Sequence, residues 1–247
     1  MVPRLVSVPG NVYNLLQKEA QDRGMERKLT GIPRAEALRY LGVRGEPDAR
    51  LTADLDRCEA QLCAAAVPRV CWRSFAREAD GTLTGTSFRP GGEAITRHLA
   101  GCGLVLLMAA TLGAETERLI RRAQVRSMAD AALLDALASA AVESVCDRFC
   151  EELAARFSPQ RLTSRFSPGY GDFPLSQQRE VCRILNVQRM LGMTLTPGGL
   201  MIPQKSVTAL IGVSDSEAPS PARPRCADCP AAGNCRYRKE DTFCESI

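Results

Sequence analysis

Apolar positions along this chain fall into blocks, most of them at helical spacing and one of them unbroken. From Pro33, which suits the first turn of a helix, the segment RAEALRYLG reads as a helix stopped by Gly42. A longer helix covers Asp48 to Val67, with Leu51, Leu55, Cys58 and Leu62 on one face and Pro68 ending it. Val70, Trp72 and Phe75 then alternate in part with polar residues, and Asp80-Gly81 follows as a turn signal, so a hairpin is expected here. Gly92 to Ala100 reads as a short helix. Leu104 to Thr111 has no charged residue and fits a buried strand.

Two helices are expected next, Ala114 to Val125 and Met128 to Phe157, the second long and rich in Ala. Its apolar stripe runs through Leu134, Ala138, Ala141, Val145, Phe149 and Leu153. Between Ser158 and Pro174 the prolines and glycines predict a loop. One more helix, Ser176 to Leu191, leads to a strand near Ser206 to Val213, and DSEAPSPARP, Asp215 to Pro224, is a linker by composition. Helices and strands do not alternate regularly. Gly101-Cys102-Gly103 precedes its strand instead of following one, so it is no dinucleotide fingerprint. The set predicts an α+β fold, long Ala-rich helices packed with a mainly antiparallel sheet.

Composition adjusts this picture in four places. Aromatics are only 5% of the chain, so the core must be built from Leu, Val, Ile and Ala. A net charge of +4 over 247 residues, with no long basic run, makes no case for nucleic acid. The most apolar run, Leu104 to Ala110, is too short to span a bilayer, and the start of the chain lacks an apolar signal core. Eleven cysteines, an odd number, fit a reducing compartment better than a disulfide framework. A cytoplasmic protein is expected.

The loop RFSPGYGDFPLSQQ, Arg165 to Gln178, carries the most chemistry. A guanidinium is a planar fork of donors that fits a carboxylate in bidentate geometry. Gly169 permits close backbone approach and positive φ. Tyr170 offers a flat ring and one hydroxyl. A second stripe on the long helix, at four-residue steps, holds Asp135, Ser139, Glu143 and Asp147. By pattern alone this stripe reads equally as a solvated face.

The Arg-x-x-x-Gly-Tyr core, with Pro168 before Gly169 and Pro174 after Tyr170, resembles the S-adenosylmethionine (SAM) motif in the activation domain of cobalamin-dependent methionine synthase. LLMAATLG, the long Ala-rich helix and IPQKSVTALIGVSD (Ile202 to Asp215) extend the resemblance over Pro33 to Asp215. It implies a SAM site built from Glu143, Arg165, Pro168, Gly169 and Tyr170. Arg165 would hold the SAM carboxylate and Glu143 its ammonium. No general base is implied, because a reduced cobalamin on a partner protein attacks the methyl group and this chain only orients the two. Lone His98 is given no role. The implied partner is a corrinoid protein, a core methionine synthase lacking its own activation domain, served by an electron donor such as ferredoxin or flavodoxin.

Cys226, Cys229, Cys235 and Cys244 form C-x2-C-x5-C-x8-C, a pattern suited to zinc or to an iron–sulfur cluster. Zinc usually takes two C-x2-C pairs, and only one is present. Reactivating oxidised cobalamin needs one electron, which favours [4Fe–4S] over zinc. The expected organisation is an arm (1–32), an activation-like domain (33–214), a linker (215–224) and a small four-cysteine metal module (225–247). The strand after Ser206 runs almost straight into the linker, which leaves open a redox or docking module without SAM chemistry, or a zinc-stabilised interaction protein.

Overall fold

The run of residues 104–111 becomes the middle of a sheet. In the computed structural model, which describes residues 25–26, 29 and 31–214, five antiparallel strands form it. They are β1 (Met25–Glu26), β2 (Arg69–Ala76), β3 (Leu104–Thr111), β4 (Arg161–Leu162) and β7 (Ser206–Ser214), in the order β1-β2-β3-β7-β4. All eight residues of β3 are buried. The sheet is covered on both faces, which is why this strand shows no alternation. Leu104, Leu106, Met108 and Ala110 point into one apolar cluster, and Val105, Leu107 and Ala109 into the other.

The first cluster is closed by α1 (Arg34–Tyr40), α2 (Ala49–Ala65), α4 (Ala114–Arg126) and α5 (Met128–Phe157). Asp48 caps α2 by accepting from the Leu51 amide at 2.7 Å, and Leu55, Cys58 and Leu62 bury as the spacing predicts. Helix α5 covers the expected 30 residues, with Ser127 as its cap. Its buried alanines, including Ala138 and Ala141, let neighbours approach, while Leu134 and Phe149 fill the core. A fully buried side chain of that size contributes roughly 1.5–3 kcal/mol.

The opposite face is covered by α3 (Glu93–His98), α6 (Gln178–Leu185) and α7 (Val187–Leu191). One helix was expected over Ser176 to Leu191; a 3-10 turn (Leu175–Gln177), α6 and α7 replace it. The break is at Asn186, left-handed with φ 50°, a conformation Asn tolerates. It lets Leu185, Val187 and Leu191 all bury against the sheet. The expected hairpin after β2 also differs. Asp80-Gly81 does turn the chain, with an Arg77–Leu83 bridge, but the long partner of β2 is β3, pairing Arg69 with Thr111. A ribbon of β5 (Thr194–Leu195) and β6 (Met201–Ile202) was not foreseen. At the far end of β7, Gly212 lies so close to Cys102 that an added Cβ would stand 2.5 Å from its sulfur.

Candidate functional site

The segment from Ser158 to Pro174 was expected to be loop; in part it is sheet. Arg161–Leu162 pairs with the end of β7, the Thr163 hydroxyl accepts from the Gly212 amide at 2.8 Å, and Phe166 exchanges two backbone hydrogen bonds with Leu210, each 2.9 Å. Arg165 is therefore delivered from a fixed edge. Its Nη2 donates to Glu143 Oε2 and its Nη1 to Asp147 Oδ1, both at 2.7 Å, and Nη1 also lies 3.7 Å from the Cys150 sulfur. These partners sit on successive turns of α5, so the fork spans one stripe of the helix. The Arg165 side chain is only 14% exposed. Burial works against its charge, yet the carboxylates beside it, Glu143 and Asp147, hold its pKa above the ordinary guanidinium value. Burial likewise pushes the Cys146 thiol up, so this residue is a neutral core group.

Beyond Arg165 the loop is tied at several points. Gly169 adopts φ 98°, and an added Cβ would meet only Leu175 at 3.6 Å, so backbone conformation and not space calls for glycine there. The Gly169 amide donates to Phe173 O at 2.8 Å and the Tyr170 amide to Ser167 O at 3.1 Å. Phe166 packs edge-on against Tyr170 and tilted against His98. His98 had no role by sequence; its Nε2 lies 2.8 Å from Ser164 O, holding the residue beside Arg165. Asp172 accepts from the amides of Glu93 (2.6 Å) and Ala94 (2.9 Å), clamping the loop to the start of α3. The Ala94 and Glu93 amides hold its carboxyl below the usual carboxylate range.

Between this loop, α5 and the start of β7 lies a cleft of about 670 Å³. One wall is the polar stripe of α5, with Asp135, Ser139 and Glu143; Ser167, Pro168 and Tyr170 come from the loop. Of the five expected SAM residues, Glu143, Pro168 and Tyr170 line the cleft. Gly169 shapes the loop, and Arg165 sits behind Glu143, bound to it. Lys205 also lines the cleft and was missed. Its Nζ lies 2.8 Å from Asp135 Oδ1 and donates to Ser139 Oγ at 2.9 Å. The signal available was a lone ammonium immediately before the strand, in the quoted segment IPQKSV.

Among the described residues, no group of three His, Cys, Asp or Glu side chains could hold a metal ion. Cys226, Cys229, Cys235 and Cys244, with the linker before them, lie outside the described residues. No helix among the described residues is long and apolar enough to cross a membrane.

A sheet backed by a long helix, with an acidic open cleft between them, is the class of architecture these observations define. The chain matches the crystal structure of the MetH reactivation domain bound to AdoHcy, with a TM-score of 0.60. The match covers 83% of this chain and 82% of that one at 16% sequence identity, and it shows a shared fold. No protein-family model and no curated protein matches the sequence.

Proposed function

We propose that this chain binds SAM in the cleft beside α5 and acts in trans to remethylate the cobalamin of a partner corrinoid methyltransferase, a core methionine synthase lacking its own activation domain. The observation that carries the reading is the joining of Glu143 to the Arg165–Tyr170 loop at one end of a cleft. The fold it shares with a reactivation domain solved with AdoHcy supports it. Charge supports it too. The ionic groups lining the cleft are two carboxylates, Asp135 and Glu143, and one ammonium, Lys205. They leave one net negative charge, opposite to the net charge of SAM, whose sulfonium adds to a zwitterion.

In this reading Glu143 accepts from the ligand ammonium while Arg165 keeps it oriented. Asp147 is 57% exposed, so its pair with Arg165 is weak and exchangeable. The ligand carboxylate takes its place on Nη1 of the fork. Pro168 and Tyr170 form the side of the site that packs on ligand. The partner's corrinoid, after accepting one electron, supplies the nucleophile; the methyl–sulfur bond breaks, a methyl–cobalt bond forms and AdoHcy is left. A [4Fe–4S] cluster on Cys226, Cys229, Cys235 and Cys244 would pass that electron from a donor such as ferredoxin or flavodoxin.

Calorimetry with SAM and AdoHcy, followed by methyl transfer from labelled SAM to a corrinoid partner, tests the proposal. Saturable binding that Glu143→Gln weakens at least about tenfold is the expected result. Absence of any heat from the intact chain, anaerobically purified with its metal, would end it.

A further inference from the structure

The cleft extends well past the Arg165 loop, and its other polar station has no assigned task. Lys205 and Asp135 meet there at 2.8 Å, across the gap between the start of β7 and α5. The Lys205 side chain is only 15% exposed, and its ammonium pairs with the Asp135 carboxylate and donates to Ser139 Oγ. Asp135 is half-exposed and uses Oδ1, leaving Oδ2 as an acceptor. A cation donor and an anion acceptor thus stand side by side facing the cleft.

That arrangement matches a vicinal diol. Each sugar hydroxyl both donates and accepts, so one can donate to Asp135 while its neighbour accepts from Lys205. Spacing agrees with the SAM reading, on which this inference rests. Along α5, Ser139 and Asp135 lie about 6 and 12 Å from Glu143, the direction and range in which the sugar follows the amino-acid end of an extended thioether nucleoside. Beyond Asp135 the cleft turns apolar, lined by Met128, Ala131 and Tyr40, whose ring is backed by the Arg39 guanidinium at 4.7 Å. A purine is flat and mostly apolar, as this end requires.

The geometry points to Asp135 and Lys205 as the sugar-binding pair of a nucleoside subsite, with the Met128–Tyr40 end receiving the purine. The ligand then lies along α5, its amino-acid group at Glu143 and its base toward the start of the helix. Ser139 is a positioning residue that aims the ammonium.

Calorimetric titration of the intact chain with AdoHcy and with methylthioadenosine, which keeps the nucleoside and lacks the amino-acid group, separates the two ends. Lys205→Met and Asp135→Asn are expected to weaken both ligands by roughly tenfold or more. Glu143→Gln weakens AdoHcy alone. A methylthioadenosine lacking one sugar hydroxyl binds the wild type more weakly than its parent, and Asp135→Asn no longer tells the two apart. Asp135→Asn is isosteric, and an unchanged melting temperature confirms its fold if Lys205→Met does not survive. Loss of AdoHcy with methylthioadenosine untouched in Lys205→Met would move Lys205 to the carboxylate and overturn the subsite. So would wild-type affinity for both ligands in both variants, with the SAM reading left standing. If the wild type binds neither ligand, subsite and SAM reading fall together.

Discussion

Two ion-pair clusters of α5, at Arg165 and at Lys205, are buried to nearly the same depth but built from different cations. Arg165 meets Glu143 and Asp147, and Lys205 meets Asp135 and Ser139. A guanidinium is a rigid fork that dictates where its carboxylates stand, whereas an ammonium is a point charge whose donors rotate. The Arg165 end is also hung on β7 through Phe166 and clamped to α3 through Asp172. Lys205 instead reaches the cleft on a flexible stem. One end of the cleft is thus built for a fixed geometry, and the other for adjustment to what lies against it.

Arg165→Met should have the largest effect. It leaves the partly buried Glu143 carboxylate on the cleft wall without its guanidinium, which should cost about 3 kcal/mol of stability in chemical denaturation. AdoHcy affinity should fall roughly hundredfold. A variant as stable as the wild type would show that the fork is not needed. Gly169→Ala tests whether the Arg165 end depends on loop geometry. With φ at 98° the substitution should cost about 1 kcal/mol. It should weaken AdoHcy more than methylthioadenosine; equal losses would erase the distinction between the ends.

Asp172 offers a pH test of the same end. Its carboxyl is more acidic folded than unfolded, so its contribution is present above the ordinary carboxylate range. It is lost as pH falls through the lower, folded value. Melting temperatures followed from neutral to acid pH should therefore drop less steeply in Asp172→Asn than in wild type. Parallel curves would remove Asp172 as a clamp. The smallest change expected is from Asp147→Asn. That exposed pair should matter by no more than about 0.5 kcal/mol, and AdoHcy binding should hold or improve as the fork is freed. A large loss would make Asp147 an essential partner of Arg165.

Much of the scaffold was legible because single elements declare themselves. The spacing on α5 marked its 30 residues, and the unbroken run of β3 marked a strand covered on both faces. Pairing was less visible. β2 joins a strand well down the chain instead of turning back, and Asn186 breaks a helix whose apolar pattern continues across it. Propensity speaks for a segment, and tertiary burial decides where it must bend. In the site, the four-residue stripe identified Glu143, but pattern could not tell a cleft wall from a wet face. The Arg165–Glu143 contact joins residues 22 apart, and only β4 and the Phe166 bridge, invisible in a Pro-rich stretch, bring them together. Lys205 went unnoticed because one ammonium before a strand resembles many solvated lysines, and its partners lie 66 and 70 residues upstream (205 − 139 and 205 − 135).

Gly212 has a consequence for how this chain can diverge. Its bare α-carbon leaves room for Cys102 and Leu99 beneath the strand, and its amide is held by Thr163, two residues before Arg165. Any larger residue would wedge the corner apart and slacken the peptide that carries Arg165. A position remote from the cleft, bearing no functional group, thereby closes off mutational paths as firmly as a ligand contact would.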